Sequence, residues 1–262
     1  MAEDQIIAQI AKGVADLPAG QWDACNPSGN PFTGHAFLSA MEQSGSVGPG
    51  SGWSPAPIVI KDAGGALAAA LPAYLKSHSQ GEYVFDHGWA NAFENAGGKY
   101  YPKLLAGVPF SPVPGPRLLI HPDADHARVT ATLAAGLIEL CDRHDASSVH
   151  VNFLPEDQWH ALAEHGFLQR QGQQFHWHNN GYQTFDDFLA ALSSRKRKNI
   201  RKEREAVVAA GVKVSALNGD DLQPHHWDAF YRFYRNTADR KWGWDYLKRD
   251  FFTLLHERMR DK

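Results

Sequence analysis

Ala56-Pro-Ile-Val-Ile-Lys-Asp-Ala-Gly-Gly-Ala-Leu-Ala-Ala-Ala-Leu-Pro-Ala-Tyr-Leu-Lys76 sets two apolar runs on either side of a glycine-bearing tetrad. Runs of this length joined by Asp62-Ala-Gly-Gly65 predict an antiparallel hairpin, with strands over 56–61 and 66–76. Helix then alternates with strand on the C-terminal side. Apolar residues at Val129, Leu133, Leu137, Ile138 and Cys141 give 127–142 one helical face. A strand is expected over 147–154, a helix over 156–165 closed by Gly166, and a returning strand over 167–178. On the N-terminal side, Phe37, Leu38 and Met41 predict a short helix with Thr33 as its cap and Gly45 as its stop. Helices layered on strands make the first 180 residues an α/β architecture, neither all-α nor all-β.

Between the hairpin and the 127–142 helix the chain is less regular. A helix leading into a loop is expected from Trp89 to Lys103. Five prolines between Tyr101 and Ile120 predict an edge or irregular strand. Beyond 180, Thr184–Leu192 reads as an amphipathic helix. Arg195–Ala210 reads as a second one, capped by Ser194 and ended by Gly211. A strand is expected over 212–217. Residues 223–260 are helical in pattern through Trp227, Phe230, Tyr231, Phe233, Tyr234, Phe251, Leu254 and Leu255.

Composition narrows the class. With 43% hydrophobic and 21% charged residues, the 262-residue chain is globular, which excludes disordered, collagenous and disulfide-scaffold classes. Apolar stretches such as Ala66–Leu71 are far short of the roughly 20 residues that cross a bilayer, and the acidic, amphipathic start is unlike a signal peptide. A cytoplasmic protein without a membrane span is the expectation, with Cys25 and Cys141 as free thiols. Charge is uneven along the chain. Residues 1–180 carry 17 acidic against 9 basic side chains, net −8, whereas 181–262 carry 12 against 17, net +5.

Most of that basic excess lies in Ser193-Ser-Arg-Lys-Arg-Lys-Asn-Ile-Arg-Lys-Glu-Arg204. On a helix, Arg197, Arg201 and Arg204 form one stripe, and Arg195, Lys198 and Lys202 the neighbouring one. Like charges so spaced repel, so the helix is either an anion site, with phosphate the natural ligand, or a solvated face. A second concentration follows the hairpin, where Tyr74–Trp89 holds Lys76, His78, Glu82, Asp86 and His87 among four aromatics. Titratable groups at a strand end beside aromatic walls make a candidate pocket, with Asp86 or Glu82 as base for an amine. Pairing of the acids with Lys76 for purely structural ends is the competing reading. None of the fourteen histidines stands in an HExxH arrangement, so no metal is expected. GxGxxG, GxxxxGK[ST] and GxSxG are absent, so no sequence motif supports a Rossmann, P-loop or α/β-hydrolase site.

Four motifs carry a family resemblance. Asn30-Pro-Phe with His35-Ala-Phe-Leu, Tyr74-Leu-Lys-Ser-His-Ser with Gly81-Glu-Tyr-Val-Phe-Asp, Tyr100-Tyr-Pro-Lys-Leu with Val108-Pro-Phe and Gly115-Pro-Arg, and Phe188-Leu followed by the basic run resemble the bacterial Fem-like predicted N-acyltransferases over nearly the whole chain. That family is similar to the peptidoglycan-bridge aminoacyl transferases and is placed with the GCN5-related N-acetyltransferases, usually as tandem units. The resemblance implies an acetyltransferase-like mixed, mainly antiparallel sheet flanked by helices, complete over 1–180 and begun again over 181–262. Family members run beyond Lys262, so the second unit is expected to be truncated.

The implied activity is transfer of an acyl or aminoacyl group from an activated carrier, acyl-CoA or aminoacyl-tRNA, to a small-molecule or peptidoglycan-precursor amine. His121-Pro-Asp-Ala-Asp-His-Ala-Arg128 stands where ordinary acetyltransferases carry a pyrophosphate loop. Asp86 and Glu82 become the catalytic candidates. Lys196, Arg197, Lys198 and Arg201, with Lys76 and His78, become the substrate or phosphate contacts. A non-catalytic module holding tRNA or a phosphorylated cell-wall precursor on the basic helix is the alternative. An inactive fragment is the other, and an exposed apolar surface near Trp227–Leu255 would be its sign.

Overall fold

The computed structural model describes residues 6–241 and 243–262, which form two compact units, 6–169 with 219–262 and 170–218. In the larger unit the elements run β1 (Ala8–Ile10), α1 (Ala19–Ala24), α2 (His35–Gln43), β2 (Trp53–Pro55), β3 (Ile58–Lys61), β4 (Leu67–Leu71) and β5 (Ala73–Lys76). They continue as α3 (His87–Asn95), β6 (Lys103–Ala106), β7 (Leu119–Ile120), α4 (His126–Arg143), β8 (Val149–Val151) and α5 (Glu156–Glu164). The smaller unit holds α6 (Phe185–Ala190) and α7 (Ser194–Ala209). The chain then returns to the first unit as α8 (Pro224–Arg240) and α9 (Arg249–Arg258).

The hairpin is β3–β4, antiparallel, with Ile58 opposite Leu71 and Asp62–Gly65 as its turn. Pro72 then separates β4 from β5, and Ala56-Pro57 separates β2 from β3, so at both places the chain crosses between two four-stranded sheets. Their orders are β1-β3-β4-β7 and β2-β5-β6-β8. Proline cannot donate to a ladder, which is why the strands change sheet there. Among the described residues, the strand pairings are antiparallel except β6–β8, whose long connection includes α4.

Side chains alternate across both sheets. Val59, Tyr74 and Leu105 enter the core under α2 and α9, while Ile58, Ile60, Leu71 and Leu104 enter the core under α4. This is the mixed, mainly antiparallel sheet flanked by helices that the resemblance implied. Of the 127–142 face, Val129, Leu133, Leu137 and Cys141 are buried but Ile138 is not; Leu140 takes its place.

Several expectations are corrected. The 101–120 segment supplies β6, an interior strand buried at all four residues, because its prolines fall outside Lys103–Val108 and leave the ladder intact. Gly34, not Thr33, caps α2, and Asp23 accepts from the His35 amide there. Ser193 rather than Ser194 is at the N-cap of α7. No strand forms over 167–178 or 212–217 among the described residues; Phe175, Val214 and their neighbours find no partner strand and stand exposed. At the C-terminal end, Phe251 and Phe252 are buried against the α2 core and Trp227, Tyr231, Leu254 and Leu255 pack on it, leaving Phe230 and Phe233 exposed.

Candidate functional site

Strands β5 and β6 pair so that Lys76 lies directly opposite Lys103, and neither side chain is exposed. Like charges facing each other across a ladder repel, and burial multiplies the cost. The loop after β5 supplies the compensation. Lys103 Nζ donates to Ser79 Oγ at 2.7 Å, to Glu82 Oε2 at 2.8 Å and to Asp86 Oδ2. Tyr100 donates its hydroxyl to the same Asp86 oxygen at 2.8 Å, and Ser79 and Tyr101 share a hydrogen bond of 2.7 Å. Lys76 Nζ stands 3.8 Å from Glu82 Oε1 and 3.7 Å from the centre of the Trp53 ring.

The loop is fixed by backbone constraints. Gly81 has φ +78°, and a side chain there would strike the Phe110 ring. Trp53 donates its indole N–H to the Gln80 carbonyl. Asp86 is the N-cap residue of α3, so its bond to Lys103 ties that helix to the sheet. Tyr83, beside Glu82, takes the left-handed conformation at φ 58°, which a bulky residue adopts only under constraint.

Lys76, Glu82 and Asp86 share a solvent-excluded space and do not titrate alike. Burial pulls the Lys76 ammonium down to about 7 despite the nearby Glu82 carboxylate. Burial also pushes Glu82 above the usual carboxylate range, against the opposing pull of Lys103 and Lys76. Asp86 goes the other way. Burial would raise it, but the hydrogen bonds from Lys103, Ser79 and Tyr100 overcome that and hold it at about 2. His78 is lowered, by burial and by the Lys76 charge. Its ring fills the space that a side chain at Gly52 would need, and its Nδ1 accepts from the Gln80 amide.

Of the residues singled out from sequence, Lys76, His78, Glu82 and Asp86 therefore come together. Glu82 and Asp86 meet through Lys103, not along a helix face, since the segment before His87 is a loop. Lys103, Tyr100, Tyr101, Ser79 and Trp53 belong to the cluster too, and no role was given to them above. The available signal was Lys103 itself, a charge at the head of an apolar strand run. Arg117 is a further buried cation, lowered to about 10 by burial; it donates to the carbonyls of Val113, Gly115 and Asn152 and so staples the proline-rich segment. Asn30 donates to the Pro114 carbonyl, bringing two of the motifs into contact.

Lys196, Arg197, Lys198 and Arg201 lie in the smaller unit on α7, which buries no residue. One of its stripes has intramolecular company. Arg201 pairs with Asp186 at 3.2 Å, Arg204 sits 4.3 Å over the Phe185 ring, and Arg197 reaches the Ala190 carbonyl. Lys196 and Lys198 are exposed. Helix α6, which receives these contacts, is closed at its start by a capping box between Thr184 and Asp187. Among the described residues no three His, Cys, Asp or Glu side chains are grouped to hold a metal ion.

Two of the segments that carried the resemblance, those around Lys76 and around Lys103, build the buried cluster, and the model of the FemAB-like family, described as peptidoglycan biosynthesis/recognition, matches residues 13–262. The chain belongs to the FemAB-like family. No curated protein and no solved structure matches it. The family places the protein in peptidoglycan biosynthesis or recognition. No described helix is long and apolar enough to cross a membrane.

Proposed function

We propose that this FemAB-like protein transfers an acyl or aminoacyl group from an activated carrier, acyl-CoA or aminoacyl-tRNA, to an amine of a peptidoglycan precursor. The observation that carries this reading is the meeting of two of the family motifs, the one running from Lys76 to Asp86 and the one holding Tyr100 and Lys103, in one buried lysine–carboxylate cluster. In such a transfer the acceptor ammonium loses a proton, its nitrogen forms a bond to the acyl carbon, and the carrier's C–O or C–S bond breaks. The carrier leaves with the second proton of the amine. A base of raised affinity suits the first of these events. Glu82 has that property, whereas Asp86, held ionised by three donors, is suited to fixing geometry.

Lys196, Arg197, Lys198 and Arg201 supply the phosphate contacts on this reading, with Lys76 and His78 beside the base. The division into acetyltransferase-like units over 1–180 and 181–262 belongs to the same proposal. So does a cytoplasmic location. The test offers the purified chain acyl-CoAs and charged tRNA as donors and nucleotide-linked peptidoglycan precursors as acceptors, and follows the acceptor's mass. A mass gain that Glu82→Gln suppresses through kcat rather than KM supports transfer. A precursor that raises the melting temperature without ever gaining mass favours the binding-module alternative. A response to tRNA alone, falling log-linearly with salt, marks the basic helix as a nucleic-acid surface.

A further inference from the structure

The two opposed lysines share a strand register, full burial and the same carboxylate, yet their bonding differs. Lys103 Nζ has three protons, and Ser79, Glu82 and Asp86 take all three. Among the described residues, Lys76 Nζ has as hydrogen-bond partners only the Gly52 and Gln80 carbonyls, both at 3.4 Å, beside the face of Trp53. Facing it is Glu82 Oε1, a buried oxygen without a hydrogen-bond donor. At 3.8 Å the amine and the carboxylate oxygen are beyond hydrogen-bond reach, and burying them as two separate charges is costly unless a proton can move from one to the other and leave both neutral.

We propose that the lysines divide the work: Lys103 is a fixed strut that positions Glu82 and Asp86, and Lys76 is the residue that shares one exchangeable proton with Glu82. The two forms of the pair, Glu82 protonated with Lys76 neutral and Glu82 ionised with Lys76 charged, hold the same proton. Passing between them breaks one O–H bond, forms one N–H bond and leaves the net charge unchanged. Burial pulls the Lys76 ammonium down and pushes the Glu82 carboxyl up, so its effect on both groups favours the uncharged form of the pair, against the mutual attraction that favours the ionised one. Besides Glu82, the charged and titratable groups facing Lys76 are Lys103 on β6, Asp86 at the start of α3 and His78 in the loop. Resting on the transfer reading above, the pair is the reservoir for the acceptor's proton. Lys76 is then a positioning and proton-sharing residue, not a phosphate contact.

The test is a pH titration of the Lys76 Cε resonance in the wild-type chain, assigned through its backbone, which needs no substituted protein. An inflection near neutrality is expected, where an ordinary lysine stays charged. Glu82→Gln removes the attraction that favours the ammonium and moves the inflection to lower pH; Lys103→Met removes a repulsion and moves it higher. A wild-type Lys76 that keeps its charged shift through about pH 9 overturns the proposal, whether or not either variant folds. So does an inflection that both variants leave in place. A titrating pair in a protein that transfers nothing keeps the proposal and removes the transfer reading. Glu82-dependent transfer with a permanently charged Lys76 does the reverse.

Discussion

The cluster around Lys103 and the helix α7 are the two concentrations of charge that the sequence singles out, and they satisfy their charges in opposite ways. The cluster has two lysines and two carboxylates out of contact with water, each lysine within ion-pair distance of Glu82. Helix α7 has seven basic residues against two acidic ones over Arg195–Glu205 and buries none of them. Solvent screens α7, and a neighbouring aspartate, ring and carbonyl take up one stripe. A charge becomes chemically unusual when water is withdrawn from it, and counting charges along the chain does not reveal where that happens.

The contrast is broken most severely at Lys103. Lys103→Met leaves Glu82 and Asp86 buried without their shared donor. It is expected to cost about 3 to 5 kcal/mol of stability, measured as a shift in denaturant midpoint. An effect below 1 kcal/mol would mean that water reaches the cluster. Next in size is catalysis. Glu82→Gln is expected to lower kcat by about 100-fold or more while KM changes little, in the range that a general base contributes. Equal kcat values in the two proteins would take Glu82 out of the chemistry.

Acid sharpens the comparison further. The folded value for Asp86, about 2, lies below the 3.8 of an unperturbed aspartate. The unfolded chain therefore takes up the proton first, and the contribution of Asp86 is complete above 3.8 and lost as pH falls toward 2. The size is about 2 kcal/mol, read from unfolding curves between those limits, and Asp86→Asn should flatten the dependence. The smallest effect belongs to α7. Arg197→Ala with Arg201→Ala should change stability by less than about 1 kcal/mol, because both contacts are solvent-exposed. The same pair should weaken a phosphorylated ligand by a few kcal/mol, on the usual size of charge-assisted contacts, in a calorimetric titration. Unchanged affinity would leave α7 as a solvated face only.

Legibility followed the same division. The hairpin, α4, α5, α6 and α7 were readable because period, cap and glycine stop are local properties, and Gly166 and Gly211 do end their helices in left-handed conformations. The strands expected over 167–178 and 212–217 had the right alternation and failed, since a strand requires a second one to accept its ladder. In the candidate site, Lys76, Glu82 and Asp86 were visible as a local concentration of titratable groups. Lys103 and Tyr100 were not, because their relation to those groups runs through the β5–β6 pairing.

By itself the sequence determined the family, the α/β class, the central hairpin and the two places where charge gathers. Each is carried by residues adjacent in the chain or one helical turn apart. Only the tertiary structure decided that β6 is interior, that Lys76 and Lys103 oppose each other, and that Glu82 and Asp86 are tied by a single ammonium. Register, burial and the proton affinities that follow from them depend on which distant segments exclude water together, and that is a property of packing.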